Sequence, residues 1–340
     1  MTERENLLRT IKGEEPAWVP RFGALQHGID KTRPPAAANH ILDLFARKPL
    51  ANGKSVDIFG VEYEATESAG GQELPMPNHY ILEDITRWRD VIKTPALNGI
   101  DWEAAAKRSI AHIDRQETAV VMSTHVGYFQ HLMNFMGFSE GLIAMCEEPE
   151  EVHALFDYLG SFYETIACKL IDYIKPDVFN ITDDTATARG PFISPNMYRE
   201  LVKPYHARLA KAANEREIPI NMHNCGLCQE SIEDWRDFNV KMWNPAQVMN
   251  DLVGIKKKYG NDLILIGCWD SSGPAGWNGA SEELVRSEVR RCIDTFAPGG
   301  GFCFWATVYG PHDDEEVKTR AMWITDEYNM YGRTFYHRQG

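Results

Sequence analysis

Apolar positions along the chain fall into two alternating rhythms. Short runs rich in valine, isoleucine and aromatic residues cover 56–65, 119–124, 178–182, 218–222, 240–243, 263–268 and 302–307, with a shorter extended piece at 18–21. Runs of this kind, bounded by Gly, Pro, Asn and Asp, predict strands. Between most of them the apolar positions recur at helical spacing, as at 149–173, 195–213, 248–259 and 281–296. Strand and helix alternate to about eight strands with no repeat or low-complexity segment, which is the rhythm of a (β/α)8 TIM barrel. The expectation is an α/β fold, a single TIM-barrel domain over 1–340 with an N-terminal extension.

In such a barrel the chemistry gathers at the carboxyl ends of the strands. Those ends carry Ser123-Thr124-His125, Thr182-Asp183-Asp184, His223-Asn224-Cys225, Asn244, Cys268-Trp269-Asp270 and Trp305-Ala306-Thr307. Residues two apart on a strand face the same side, so His223 and Cys225 aim an imidazole nitrogen and a sulfur at one point. Zinc takes nitrogen and sulfur ligands in tetrahedral geometry, and a catalytic site keeps one position open for water or substrate. Taken alone, the pair reads more readily as a hydrogen-bonded core histidine beside a small buried cysteine. The gathering of polar and reactive residues on one rim favours the metal.

Composition narrows the function classes. No run approaches the roughly 18 apolar residues of a membrane span, and the charged start MTERENLLRTIKGEE lacks the apolar core of a signal peptide. A cytoplasmic protein without a membrane partner is expected. The formal charge of −14 comes with no cluster of Lys and Arg, which argues against a nucleic-acid partner. Seven cysteines, an odd number scattered along the chain, fit reduced thiols better than a disulfide framework.

The order of several motifs resembles the uroporphyrinogen decarboxylase superfamily. They are Glu5-Asn6-Leu7-Leu8-Arg9-Thr10-Ile11-Lys12-Gly13-Glu14-Glu15-Pro16 with Val19-Pro20-Arg21, then Gly137 with the helix around 146–152, and Ile193-Ser194-Pro195 with Lys203-Pro204-Tyr205. His223-Asn224-Cys225-Gly226, Ile266-Gly267-Cys268-Trp269-Asp270 and Gly299-Gly300-Gly301-Phe302 complete the series. The resemblance covers nearly the whole chain and implies the same barrel. In the decarboxylases an arginine-rich segment after the first strand clamps the carboxylates of a tetrapyrrole. Here that stretch reads Arg21-Phe22-Gly23-Ala24-Leu25-Gln26-His27-Gly28, with one arginine, so tetrapyrrole decarboxylation is disfavoured.

The other branch, the cobalamin-dependent methyltransferases, carries a zinc motif of the form HxC…C, and His223-Asn224-Cys225 matches its first part. The later cysteine departs from the pattern, because Val308-Tyr309-Gly310 stands where a PGCG-like turn is expected. Cys268, at the end of a neighbouring strand, is the first choice for the third zinc ligand, with Cys303, Cys228 and an oxygen of Asp184 as alternatives. A site with fewer sulfurs suits a Lewis acid acting on an ether oxygen better than activation of a thiol. The resemblance thus implies a substrate:corrinoid methyltransferase, an O-demethylase passing a methyl group from a methoxylated aromatic to cob(I)alamin on a partner corrinoid protein. Another methyl donor or a thiol acceptor is the alternative, and a decarboxylase a distant third. Asp184, His125 and Tyr309 are the candidate catalytic groups at the leaving oxygen. Phe22, Tyr128, Phe129 and Trp305 are expected to form a slot for the aromatic ring. Trp269 and Asp270 open a Gly-rich loop, to 279, expected to face the corrinoid. Either a monomer or a homodimer is compatible with the sequence.

Overall fold

The computed structural model describes residues 1–23, 33–66, 72–124, 126–311 and 313–338. Seven parallel strands, Ala37–Asn39, Ala119–Ser123, Val178–Thr182, Ile220–His223, Val240–Ala246, Ile264–Cys268 and Phe302–Trp305, each pair with the next along the chain. The two outer strands are joined through residues 21 and 22. Arg21 bridges Phe304 and Phe22 bridges Ala37, both in the parallel sense, and the Phe22 N–H donates to the Phe304 carbonyl at 2.9 Å. The sheet therefore closes on itself, with 21–22 as its eighth strand, and the expected TIM barrel is the observed fold.

One strand of the sequence reading lies elsewhere. The 56–65 run is split by a turn in which Asp57 Oδ1 accepts the N–H groups of Phe59 (2.9 Å) and Val61 (3.0 Å). Its halves, Lys54–Val56 and Glu62–Thr66, pair with Lys48–Pro49 and Gln72–Pro75 in a separate four-stranded antiparallel sheet. The second barrel strand is instead Ala37–Asn39, three residues without a β-branched side chain. Such a strand is specified by its neighbours, not by its own propensity.

Period-two alternation sorts the side chains into two cores. Ala119, Val121, Val178, Met242, Ile264, Ile266 and Cys303 share an inner cluster with Leu7 and Ile11 of the helix Glu3–Ile11, which closes the amino-terminal end of the barrel. Phe179, Ile181, Met222, Trp243, Leu265, Phe302 and Phe304 pack outward against the helices. The longest helix, Pro149–Ile174, begins with Pro at its first turn and Glu150 and Glu151 near its positive end, and buries Val152, Leu155, Phe156, Leu159 and Phe162 along one face. The expected 195–213 helix is interrupted by a π-helical turn, Tyr198–Val202, before Lys203–Asn214. Among the described residues no helix is long and apolar enough to cross a membrane. The same alternation leaves Asn180, Asn221 and His223 facing the interior near the carboxyl end.

Candidate metal centre at the barrel mouth

Three adjacent loop and strand ends bring Asp184, His223 and Cys225 together, with all ligand atoms within 4.8 Å of one another. His223 Nε2 lies 3.9 Å from Asp184 Oδ1 and 3.8 Å from Cys225 Sγ. Tetrahedral zinc with bonds of about 2.0–2.3 Å spaces its ligand atoms about 3.4–3.7 Å apart, so His223 needs to approach each of its two partners by only a few tenths of an ångström. Burial pushes the Cys225 thiol far above its usual range, and the charge of Asp184 adds to the shift. A thiolate beside a carboxylate is unfavourable there unless a cation compensates both. The nitrogen, sulfur and oxygen donor set therefore fits zinc and leaves room for a fourth ligand.

The backbone around the triad is fixed from several sides. The Cys225 N–H donates to Asp184 Oδ1 at 2.8 Å, and Gln130 Nε2 donates to Asp184 Oδ2 at 3.3 Å. Asn224, fully buried, accepts the Thr185 N–H (3.2 Å) and donates to Thr185 Oγ1 (2.8 Å). Gly226 follows at φ +92°, where a Cβ would sit 2.6 Å from the Thr187 carbonyl oxygen and 2.7 Å from that of Ala186. Beneath Asp184, the buried Asp183 accepts the N–H groups of Phe129 and Gln130 at 3.0 and 3.1 Å. His206 Nε2 lies 3.0 Å from Asp183 Oδ2, and Tyr198 lies 3.0 Å from the other ring nitrogen.

Two cavities meet at His223 and Trp305. The larger, about 480 Å³, runs into the barrel past Phe22, Asn180, Asn221 and Asn244. The other, about 350 Å³, holds Asp184 and Cys225 together with Trp269, Thr307 and Tyr309. Trp269 Nε1 and Thr307 Oγ1 are buried and have no protein partner among the described residues. In the larger cavity Asn221 Nδ2 donates to Asn180 Oδ1 (2.5 Å) and to Asn244 Oδ1 (2.6 Å), an amide ladder across three strands.

Of the residues singled out in the sequence, Asp184, His223, Cys225, Cys268, Phe22, Trp305, Trp269 and Tyr309 line these two cavities, though Cys268 is not within ligand distance of the triad. His125 lies outside the described residues. Tyr128 and Phe129 are brought into the layer between barrel and helices: Tyr128 packs 5.3 Å from Tyr205 and Phe129 stacks 5.6 Å from Phe192, ring centre to ring centre. Asp270 accepts the N–H groups of Ser272 and Gly273 at 3.2 and 2.8 Å and shapes its own loop. Cys268 is not brought to the triad. Gly267 at φ +116° and Cys268 at φ +60° break the strand's alternation, so Cys268 joins the outer core, where burial raises its thiol pKa well above the ordinary range. Cys228 Sγ donates to the carbonyls of Asn224 and Gly226, both at 3.5 Å, and Cys303 lies deep in the inner core. The sequence reading named Asn244 and Asp183 only as polar residues of the rim, and gave no role to the amides of Asn180 and Asn221 or to His206. The available signal was polar residues at inward positions of strands, where apolar ones are expected.

Comparison with known proteins places this geometry in a lineage. The chain is 29% identical over 154 residues to a methylated-thiol–coenzyme M methyltransferase of Methanosarcina mazei, a match covering 43% of this chain and 37% of that protein's length. Its fold is similar to that of a methyltransferase from Methanosarcina mazei, with a TM-score of 0.66 at 14% identity over 96% of this chain and 99% of the other. Residues 57–305, from the accessory sheet to the last barrel strand, match the family model described as Uroporphyrinogen decarboxylase (URO-D), and the chain belongs to that family.

Proposed function

We propose that the protein is a methyltransferase that takes a methyl group from a methoxylated aromatic compound and passes it to cob(I)alamin carried by a separate corrinoid protein. The observation that carries this reading is the Asp184–His223–Cys225 triad, whose His223 also lines the cavity bounded by Phe22 and Trp305. Similarity to two methyltransferases supports the reaction class. The whole chain, 1–340, acts as one catalytic unit in this reading.

Asp184, His223 and Cys225 would hold zinc, which when bound supplies a Lewis acid for the ether oxygen. Phe22 and Trp305 offer faces against which a flat ring packs, holding the methoxy group toward the triad. Cob(I)alamin on the partner attacks the methyl carbon; a cobalt–carbon bond forms as the carbon–oxygen bond breaks, and the electron pair stays on oxygen. The phenolate then takes a proton and leaves as a phenol. Its developing charge meets the Trp269 indole N–H and the Thr307 hydroxyl, both without acceptors among the described residues. Tyr309, half exposed at the same mouth, can relay the proton from solvent.

The test is elemental analysis of the purified protein, followed by incubation of the metal-loaded protein with cob(I)alamin and a panel of methoxyarenes, read as conversion to methylcobalamin. Zinc near one per chain with methyl transfer from an aryl ether is the expected result; no transfer from any ether overturns the reading. The relative that acts on methylated thiols favours a second reading, in which a thioether is the donor or a thiol the acceptor. Methylated thiols in the same panel distinguish the two.

A further inference from the structure

The amide ladder at the base of the larger cavity does more than tie strands together. Asn221 precedes His223 by two residues on one strand, so it faces the same interior about 7 Å further in. Both hydrogens of its Nδ2 are engaged, by Asn180 Oδ1 and Asn244 Oδ1. That fixes the orientation of the amide and leaves Oδ1 as the acceptor of the group. Asn221 is 1% exposed and lines the cavity, yet among the described residues Oδ1 has no hydrogen-bond partner. A cross-strand tie needs only the two donated bonds, and an unmet buried acceptor destabilises the empty site.

We infer that Asn221 is a specificity-determining residue whose Oδ1 accepts a hydrogen bond from a neutral O–H or N–H group on the ligand that fills this cavity. The neutral class follows from the walls: apart from the imidazoles of His112 and His223, the described lining residues carry no ionisable side chain, while Phe22, Val121 and Trp305 present apolar surface beside the amides. An ionised group beside Asn221 meets no lysine, arginine or carboxylate among the described lining residues to offset its desolvation. A donor satisfies the amide; an apolar end leaves it unmet. In naming the ligand a methyl donor with such a group, the inference rests on the proposed function. The recognition of a buried donor does not.

The experiment is calorimetric titration of the full-length, metal-loaded protein with 2-, 3- and 4-methoxyphenol and with anisole, which lacks the hydroxyl. Methyl transfer to cob(I)alamin is measured in parallel. At least one methoxyphenol is expected to bind about tenfold or more tightly than anisole. The preference should fall to within about twofold in Asn221→Leu, checked for folding by circular dichroism. The wild-type comparison needs no variant: equal affinity for all four compounds, or none for any, overturns the inference. A preference that persists in folded Asn221→Leu also overturns it. Preferential binding without methyl transfer sinks the proposed function and leaves Asn221 as a reader of hydroxyl groups. Equal kcat/KM for all four compounds does the reverse.

Discussion

Cys225 and Cys268 are both cysteines at strand ends, and their backbones separate them. Cys225 keeps the inward parity of His223, whereas Cys268, after positive φ at Gly267 and at its own position, packs with the outer core and is left out of the ligand cluster. Substitution should therefore discriminate sharply. His223→Ala, Cys225→Ser and Asp184→Asn are each expected to weaken zinc binding by about a hundredfold or more, while Cys268→Ser retains it; competition with a chromophoric chelator measures both. Zinc loss in Cys268→Ser with retention in Asp184→Asn would reverse the ligand assignment. The raised Cys225 pKa adds a pH dependence. Burial and the Asp184 charge favour the protonated thiol, and the metal must displace that proton. Affinity should rise with pH, by up to about tenfold per unit for one proton, and each bound ion should release acid into weak buffer. Affinity that is flat or falling between pH 6 and 9 would show that Cys225 is not a ligand.

At the level of elements, the site depends on how the chain leaves the strand Ile220–His223. Gly226 passes between the carbonyls of Ala186 and Thr187, and its N–H donates to Gln247 Oε1 at 2.6 Å. In Gly226→Ala the added methyl is strained by the positive φ and meets backbone on two sides. A loss of about 1–3 kcal/mol in stability is expected, with weakened zinc binding because Cys225 is the adjacent residue. Urea denaturation of the apo protein separates the first effect from the second. The sequence carried the elements that have strong patterns. Strands rich in Val and Ile, the long 149–174 helix and the His223-x-Cys225 pair were legible because periodicity and ligand chemistry are local properties. Ala37–Asn39 was not legible, since three small residues become a strand only when Ala119–Ser123 and Phe22 flank them. The 56–65 run misled for the opposite reason: its strand propensity is real, but Asp57 folds it into a hairpin. Cys268 was not expected in the outer core because regular alternation was assumed to continue through Gly267, whereas Gly267 and Cys268 both take positive φ and end it.

Across the whole molecule the barrel keeps stability and chemistry at opposite ends. The helix Glu3–Ile11 inserts Leu7 and Ile11 into the amino-terminal opening and is anchored by Arg4 to Asp177 at 2.6 Å and by Glu3 to the Trp18 indole at 2.8 Å. Glu3 also pairs with Arg333, so the start and end of the described chain meet below the barrel. The triad lies at the carboxyl ends of the strands, with the inner core of Val121, Met242, Ile264 and Ile266 between. Leu7 is fully buried, and Leu7→Ala should leave a cavity costing about 2–5 kcal/mol. In a chain of this size that lowers Tm by several degrees. A close-packed interior can transmit strain, but the cavity would open where no strand end or loop of the site reaches. Calorimetry should therefore show the lower Tm while zinc content and the kcat/KM of methyl transfer stay within about twofold of the parent. A parallel fall in zinc content would mean that the plug sets the register of the strands carrying Asp184 and His223, and that the two ends of the barrel are mechanically one.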